Sequence, residues 1–352
     1  MLVSLDEDHQ SSEVSKKLEK YVDRLHIIPL SKFKIYTNVL LGFLGRKPFQ
    51  VYYFYQKSAH KKVKELIQDF NPDYIYCQLL RSAEYVKDFH HIPKTIDYQD
   101  AFSKGIERRI NKEGWKKPIF ESEHKRLLKY ENLIFDYFEH HTIISDEDKN
   151  AIFHEKRNQI EIIPNGIDTE HFIKDSLVEK VYDLLFVGNM SYAPNIDAAI
   201  FIAEKLLPQL KTIKSDIRIL IAGSNPAPEV SKLANDNVIV SGWIDDIRDA
   251  YNQSKIFIAP MQLGSGLQNK LLEAMSMELP CITSKLANNS LKATHNQEVI
   301  ECVEIEDYIK AFELFHTSES TKTSLGAAGR DFVKSQFSWQ NSVNQLTKVI
   351  IG

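Results

Sequence analysis

The sequence is poor in cysteine, and this limits the class of protein that it can encode. Cys77, Cys281 and Cys302 are the three cysteines among 352 residues, and each lies in an apolar run. An odd number of widely spaced cysteines excludes a disulfide-rich scaffold and a zinc site built on cysteine pairs. We therefore expect three buried free thiols in a protein of the reducing cytoplasm.

Long hydrophobic runs and an excess of one charge are also missing. No apolar run approaches the length that crosses a membrane, and no secretory signal pattern is present. Lys and Arg number 44 and Asp and Glu 48, so the net charge is −4, which does not favour nucleic acid as a partner. A chain of 352 residues, 43% of them hydrophobic, suits two globular domains.

Short apolar runs alternate with amphipathic stretches along the chain. This alternation predicts an α/β fold with doubly wound parallel sheets. Strands are predicted at 1–5, 26–30, 74–77, 94–98, 142–145, 160–163, 183–187, 217–222, 238–241, 256–259, 281–283 and 299–303. Helices are predicted at 12–25, 59–70, 121–140, 196–207, 247–253 and 268–277, and a disordered loop at 287–296.

The most informative stretch runs from Ile256 to Thr283, with the sequence IFIAPMQLGSGLQNKLLEAMSMELPCIT. A buried strand is followed by two glycines that flank Ser265, and a helix begins near Gln268. A glycine loop that leads into a helix presents backbone N–H groups at the positive end of the helix dipole, which suits a phosphate. On this helix, Glu273 is placed to accept hydrogen bonds from sugar hydroxyls.

An ordinary strand–helix connection explains the same stretch. In that interpretation the glycines only form a turn and Glu273 is solvated. A P-loop is excluded, because Lys270 is neither preceded by glycine nor followed by Ser or Thr.

The run GSGLQNKLLEAM, followed by a proline, resembles the donor-site signature of glycosyltransferase family 4, the group 1 glycosyltransferases. More narrowly, it resembles the sugar transferases of exopolysaccharide clusters. Four further stretches agree: FVGNMSYAPNIDAAIFIAEKLLP from Phe186, AGSNPAPEV from Ala222, IIPNGIDTEHF from Ile162 and GRDFVKSQFSW from Gly329. The resemblance extends from Leu25 to the end of the chain and is strongest over 162–283.

The resemblance implies two Rossmann-like domains that face each other across a cleft, the GT-B type. Residues 1–168 would form the acceptor-side domain, with the C-terminal helix, from about residue 336 to 352, packed back on it, and residues 169–335 the donor domain. In the family, a glycine-rich loop and a helix follow the first strand. No such loop is present here, so we expect the N-terminal domain to lack its first strand–loop–helix unit.

The resemblance also assigns a donor site to the loops after the strands of the second domain. The implied donor-binding residues are Gly188, Asn189, Gly223, Asn225, Trp243, Ile244, Gly264, Ser265, Gly266, Leu267, Gln268, Asn269 and Glu273. Structural alternatives stay open: Asn195 as a helix cap, and Trp243 packed into the rim of the sheet. Many family members carry an arginine and a lysine in the loop after Gly188, whereas Asn189 follows it here.

Three residues are catalytic candidates. Breaking a sugar–diphosphate bond requires stabilisation of the departing negative charge, and Lys270 is the best cation for this role, with a solvent-exposed lysine as the alternative. Asp97 or Asp100, at the end of the 94–98 strand, is expected to orient the acceptor hydroxyl or take its proton, with helix capping as the alternative. No Asp-x-Asp pair lies in a convincing metal-binding loop at a strand end, so we expect no required metal and no cofactor beyond the donor substrate.

Aromatic and basic residues combine over 36–47 and at Phe49. One interpretation is contact with a membrane surface that holds a lipid-linked acceptor, and the other is that these aromatics are core. The expected location is the cytoplasm, with a peripheral position on the inner face of the membrane under the first interpretation.

The expected function is transfer of a sugar from a nucleotide-diphosphate sugar to a glycan or lipid-linked acceptor in cell-surface or exopolysaccharide synthesis. The family implies retention of the anomeric configuration. Two alternatives remain: a non-catalytic or truncated donor-binding partner subunit, which the missing first unit favours, and a nucleotide-sugar epimerase on the same scaffold. The epimerase would need carboxylates and a histidine that line the cleft.

Overall fold

The chain divides into two units that have separate hydrophobic cores. A computed structural model describes residues 1–7, 15–16, 18–110, 114–263 and 266–351. The first unit comprises Met1–Ile163 with Leu346–Gly352, and the second comprises Pro164–Gln345. All three cysteines are buried and free, as expected.

The described strands pair in parallel throughout. In chain order they are β1 (Leu2–Asp6), β2 (Leu25–Pro29), β3 (Ile75–Gln78), β4 (Lys94–Asp97), β5 (His140–Ile143), β6 (Glu161–Ile162), β7 (Tyr182–Val187), β8 (Ile219–Ala222), β9 (Val238–Gly242), β10 (Ser254–Ala259), β11 (Cys281–Ser284) and β12 (Ile300–Cys302).

Helices connect these strands. In the first unit they are α1 (Lys32–Gly42), α2 (Phe49–Phe54), α3 (Lys57–Phe70), α4 (Phe102–Ile110), α5 (Lys117–Phe135) and α6 (Asp146–Ala151). The second unit begins with α7 (Ala193–Ile200), a π-helical segment (Phe201–Leu206) and α8 (Leu207–Leu210), and continues with α9 (Pro228–Ser231), α10 (Ile247–Asn252), α11 (Asn269–Ser276), α12 (Lys285–Leu291), α13 (Ile305–Thr317) and α14 (Glu319–Gln336). The last helix is α15 (Trp339–Ile351), and short 3-10 turns lie at Glu19–Tyr21, Leu80–Tyr85, Gly114–Lys116 and Arg157–Gln159.

The first unit contains a sheet of order β3-β4-β5-β6 and a separate pair, β1-β2. All four residues of β4 are buried, as expected for a parallel strand covered on both faces. Even the Lys94 ammonium is inside, where it donates to the carbonyl oxygen of Phe89 at 2.9 Å. Asp97 therefore marks the carboxyl end of the most enclosed strand in this sheet.

The second unit contains one sheet of order β12-β11-β10-β7-β8-β9. Most of its strands contain an apolar run, and Leu184, Leu185 and Phe186 of β7 are fully buried. The chain builds β7, β8 and β9 outward in one direction, and then returns to place β10 on the other side of β7. This reversal creates a topological switch point between β7 and β10, where open α/β sheets bind ligands beyond the carboxyl ends of the strands.

The predicted α/β class with parallel sheets is confirmed, and each predicted strand overlaps a strand of the structure. The loop predicted at 287–296 is wrong over its first half, because α12 covers Lys285–Leu291. The Ser284 hydroxyl caps this helix by accepting from the Ala287 N–H at 3.2 Å. The polar composition of residues 287–296 predicted a loop. The Ser284 cap stabilises a helix instead, and the Asn288 side chain donates a hydrogen bond to the Ala293 carbonyl oxygen at 2.9 Å. Of the helix predicted at 12–25, residues 12–14 and 17 lie outside the described ranges. Its second half is wrong, because a 3-10 turn lies at Glu19–Tyr21 and β2 begins at Leu25.

Gly326 on α14 offers a test of the packing in the second unit. A Cβ at this position would overlap the carbonyl oxygen of Glu278, which is backbone and cannot move aside cheaply. We expect Gly326→Ala to lower the free energy of unfolding by about 2 kcal/mol or more in denaturant titrations. Gly105→Ala on α4 is the matched control, because its Cβ would meet open space; it should raise stability by about 0.5 to 1 kcal/mol. Equal effects of the two substitutions would contradict this packing.

Candidate active site at the switch point of the second sheet

Three strand ends lie side by side at the carboxyl edge of the second sheet. The Gly188 N–H, after β7, donates to the carbonyl oxygen of Ala222 at 3.0 Å, and the Gly223 N–H, after β8, donates to that of Gly242 at 3.0 Å. Gly223 has a φ of 140°, and a Cβ there would overlap the Gly188 carbonyl oxygen. Glycine is therefore required for these two loops to come so close.

Lys270 joins the two sides of the switch point. It lies on α11, which follows β10, and its Nζ donates to Oδ1 of Asn195 on α7, which follows β7, at 2.5 Å. The ammonium also sits 4.7 Å from the centre of the Phe186 ring and 3.8 Å from the Met261 sulfur. These contacts hold a cation at the place where the sheet order favours a ligand.

The charge of Lys270 is incompletely balanced. Burial lowers the pKa of Lys270 to about 8, and the nearby Glu273 opposes this shift. Within the described ranges, Lys270 forms no ion pair with a carboxylate. An incoming anion would supply the missing negative charge, because an opposite charge favours the protonated amine.

Glu273 lies one turn further along α11. Its Oε2 accepts a 2.7 Å hydrogen bond from the hydroxyl of Tyr251, a fully buried residue on α10. Burial raises the pKa of Glu273, and the Tyr251 hydrogen bond and the Lys270 charge partly offset this. No described residue donates to the second carboxylate oxygen, so the hydrogen bond fixes the side chain and leaves Oε1 available to a ligand.

The predicted glycine loop is described in part. Gly264 and Ser265 lie outside the described residues. Gly266, Leu267 and Gln268 are half-buried and Asn269 is exposed. The Gln268 side chain donates to the Gly266 carbonyl oxygen at 3.2 Å instead of capping α11. No side chain of the described residues therefore caps the start of α11, and free N–H groups at a helix start suit a phosphate group.

The other predicted donor-binding residues lie along the same edge of the sheet. The Asn189 Oδ1 accepts from the N–H and the hydroxyl of Ser191 at 3.0 and 2.8 Å, which shapes the loop after β7. Asn225, in the loop after β8, has a left-handed φ of 51°. Trp243 follows β9 and is 73% exposed, so the alternative of a tryptophan packed into the sheet rim is wrong. Its indole N–H donates to Asp245 at 3.0 Å, and Ile244 beside it is half-buried.

Asn195 and Tyr251 make contacts in this site that the sequence did not predict. The cap alternative for Asn195 is wrong: its Nδ2 donates to the Asn189 carbonyl oxygen at 2.9 Å, and its Oδ1 holds Lys270. No motif in the sequence marks Tyr251 as a site residue. A tyrosine in an apolar stretch nevertheless indicates a buried hydroxyl that needs a hydrogen-bond partner. Glu273 is that partner.

The two aspartates of the first unit differ in their surroundings. Asp97 is buried and accepts hydrogen bonds from the Tyr76 hydroxyl at 2.6 Å and from the Gln99 N–H at 3.1 Å. Asp100 is exposed and follows Gln99, whose φ is 61°. At the start of α4, the Ser103 N–H is bound by Glu131 at 2.9 Å. Asp97 thus stabilises the end of β4, and Asp100 lies at the surface.

Comparison with known proteins places a known domain family over most of the second sheet. The family model described as Glycosyl transferases group 1 matches residues 181–314, which contain both halves of the switch point. This part of the chain is similar to the domain of group 1 glycosyltransferases. The predicted enzyme class, a glycosyltransferase, is thereby confirmed, and the assignment to the exopolysaccharide subgroup stays a prediction.

Two sequence relatives carry informative descriptions. An uncharacterized 44.6 kDa protein in the cps region of Klebsiella pneumoniae is 24% identical over 311 residues, which cover 82% of this chain and 76% of the relative. The UDP-Gal:alpha-D-GlcNAc-diphosphoundecaprenol alpha-1,3-galactosyltransferase of Escherichia coli is 28% identical over 171 residues, or 44% of each chain.

A solved structure extends the likeness in fold to nearly the whole chain. Anabaena HepE, solved in complex with UDP, has a TM-score of 0.65 at 11% identity, and the match covers 98% of both chains. At this identity the match supports the fold alone. The GT-B class predicted for the glycosyltransferase is confirmed at that level.

The lowered pKa of Lys270 leads to a pH prediction. The amine must be protonated to attract a diphosphate, and in the free protein it loses its proton as the pH rises through about 8. Affinity for UDP, measured by calorimetry, should therefore fall by about tenfold or more above that pH. Lys270→Arg keeps its charge and should flatten the profile, whereas Lys270→Gln should bind weakly at every pH. A wild-type affinity that stays constant across this range would refute the role of Lys270.

Proposed function

We propose that this glycosyltransferase moves a sugar from a nucleotide-diphosphate sugar to a glycan or lipid-linked saccharide in exopolysaccharide or capsule synthesis. The observation that carries the proposal is the Lys270 ammonium, held by Asn195 across the switch point, with the free oxygen of Glu273 one helical turn away. One cation and one carboxylate, separated in this way, match a ligand that carries phosphates at one end and hydroxyls at the other.

The reaction breaks the bond between the anomeric carbon and the diphosphate oxygen and forms one to an acceptor oxygen. Negative charge grows on the departing diphosphate, and Lys270 and the uncapped N–H groups of α11 would stabilise it. Glu273 would accept hydrogen bonds from sugar hydroxyls, and the buried Tyr251 hydroxyl keeps its carboxylate in place. We propose that these groups act without a divalent metal and that the configuration is retained.

The surrounding loops supply the remaining parts of the donor site. Gly188 and Gly223 give close access to the backbone at the ends of β7 and β8. The exposed indole of Trp243 and the half-buried Ile244 offer apolar surface on which a nucleobase would stack. Asn189, Asn225 and the loop residues 264–269 would complete the contacts with the diphosphate and the sugar.

The relatives suggest which donor and acceptor to test first. The Escherichia coli enzyme is named for a UDP-sugar donor and a saccharide linked to diphosphoundecaprenol, and the Klebsiella relative comes from a cps region. We therefore propose a uridine nucleotide as the donor, an acceptor on a lipid diphosphate, and a reaction on the cytoplasmic side of the membrane.

One experiment distinguishes an active transferase from a donor-binding subunit that has no activity. The purified protein is incubated with UDP-sugars, with and without lipid-linked acceptors and EDTA, and UDP release is measured. Release that EDTA does not change supports the metal-independent transferase. Donor binding without any hydrolysis or transfer would leave the subunit interpretation standing.

Glu273→Ala tests the donor site directly. Removal of a carboxylate that accepts from sugar hydroxyls should weaken UDP-sugar binding by about a hundredfold. Binding of UDP alone should change far less, since UDP lacks the sugar. Tyr251→Phe is the control, because it removes only the hydroxyl that holds Glu273 and should have a smaller effect. Equal loss of UDP and UDP-sugar binding, or no loss of either, would place the sugar elsewhere.

Asp100→Asn tests the acceptor side. If Asp100 takes the acceptor proton, the substitution should lower kcat by about a hundredfold or more and leave the donor affinity unchanged. Asp97→Asn is the comparison, because Asp97 is engaged by Tyr76 and Gln99 and its loss should lower stability more than Asp100→Asn does. An Asp100→Asn enzyme with normal kcat would remove this residue from the mechanism.

A further inference from the structure

Helix α1 and the loop after it carry large apolar side chains that the described structure leaves uncovered. These side chains are between 54% and 91% exposed: Phe33, Tyr36, Leu40, Leu41, Phe43 and Leu44. Four of them, which we call the α1 stripe, recur at helical spacing: Phe33, Tyr36, Leu40 and Leu44. The two alternatives for this stretch were core aromatics and a membrane contact, and the stripe is not core.

The opposite side of α1 is firmly attached to the first unit. Ile35 is buried, and the Asn38 side chain donates to the Tyr55 carbonyl oxygen at 2.7 Å. The Arg126 guanidinium donates to the Gly42 carbonyl oxygen at 2.7 Å. These contacts fix the rotation of α1 about its axis. The α1 stripe therefore faces outward as a consequence of packing.

The charged residues of the segment that carries the stripe have one sign. Residues 24–64 contain nine Lys and Arg and no Asp or Glu. Lys32, Lys34 and Arg46 are exposed on α1 and its following loop. In a protein whose net charge is −4, this segment is a local positive region that flanks exposed apolar side chains. A protein surface with exposed apolar side chains and flanking positive charges complements a partner surface that has a negatively charged outer layer over an apolar interior.

We propose that residues 32–47, the docking face, lie in the headgroup region of a bilayer that contains anionic lipids. Leu, Phe and Tyr side chains of the α1 stripe would enter the boundary of the acyl chains, and the flanking Lys and Arg would bind lipid phosphates. With 11 residues, α1 would lie in the plane of the bilayer. No helix in the described ranges is long and apolar enough to span it.

A second copy of the chain is a poorer occupant for this face. In a two-fold symmetric dimer the same patch meets itself, so Lys32, Lys34 and Arg46 would approach their own counterparts. No carboxylate between residues 24 and 64 is available to offset that repulsion. A lipid surface supplies the opposite charge, and a protein partner would need an acidic rim around an apolar groove.

The inference deepens the proposed function, because a lipid-linked acceptor is held at such a surface. It does not depend on that function for its test, since lipid binding is measured without donor or acceptor. Failure of lipid binding would leave UDP binding and sugar transfer to a soluble acceptor untouched. Failure of sugar transfer would leave the lipid-binding result intact.

The experiment is co-sedimentation of the full chain with two kinds of vesicle: phosphatidylcholine alone, and phosphatidylcholine mixed with phosphatidylglycerol. The wild type should bind the mixed vesicles, and Leu40→Glu/Leu44→Glu should lower the affinity by about a hundredfold, since two apolar anchors become charged. Leu177→Glu is the matched control, because Leu177 is 95% exposed in the second unit and should have no effect. Circular dichroism and thermal unfolding confirm that each variant is folded.

Charge is tested separately. Lys32→Gln/Arg46→Gln should lower the affinity for the mixed vesicles by about tenfold or more and make binding less sensitive to salt. Vesicle binding that the leucine substitutions do not change would overturn the docking face. Equal binding to both kinds of vesicle would overturn its preference for anionic lipid. Leucine-dependent self-association, or leucine-dependent binding to an acidic protein, in the absence of vesicle binding would assign the face to a protein partner.

Discussion

The hydrogen bond between the Lys270 ammonium and the Asn195 side chain is the contact on which the candidate site depends. It joins the helix after β10 to the helix after β7, so it spans the one place where the strand order of the second sheet reverses. A cation held there by a neutral amide keeps its charge available, because the amide orients the amine without neutralising it. Among the described residues, the sheet thus presents a positive charge without a carboxylate partner, beside the start of a helix that no described side chain caps.

Burial of Tyr251 determines the position of the Glu273 carboxylate in the site. Tyr251 is enclosed in the core, so its hydroxyl needs an acceptor, and Glu273 supplies one. This satisfies the tyrosine and fixes one carboxylate oxygen at the same time. In the proposed function, Oε1 of Glu273 would contribute specificity for the sugar. The Tyr251 hydrogen bond holds this oxygen in position before any ligand binds.

Much of the fold was predictable because the strands of the second sheet are covered on both faces. The run Leu184–Phe186 is continuously apolar, and such runs in alternation with helices indicate parallel strands directly. Gly223, Lys270 and Glu273 were predicted because they belong to a recognisable local pattern. Contacts such as Asn195 with Lys270 were not, since they depend on which strands are neighbours, and α12 was missed because its cap lies in the preceding strand.

The lowered pKa of Lys270 has a chemical consequence beyond binding. An amine with a pKa of about 8 carries an appreciable neutral fraction at mildly alkaline pH, and the neutral amine is a nucleophile. Surface lysines of ordinary pKa stay almost wholly protonated under those conditions. Acylating reagents should therefore react with Lys270, and with Lys180, whose pKa burial also lowers to about 8, before the lysines of ordinary pKa. A bound diphosphate would shield Lys270.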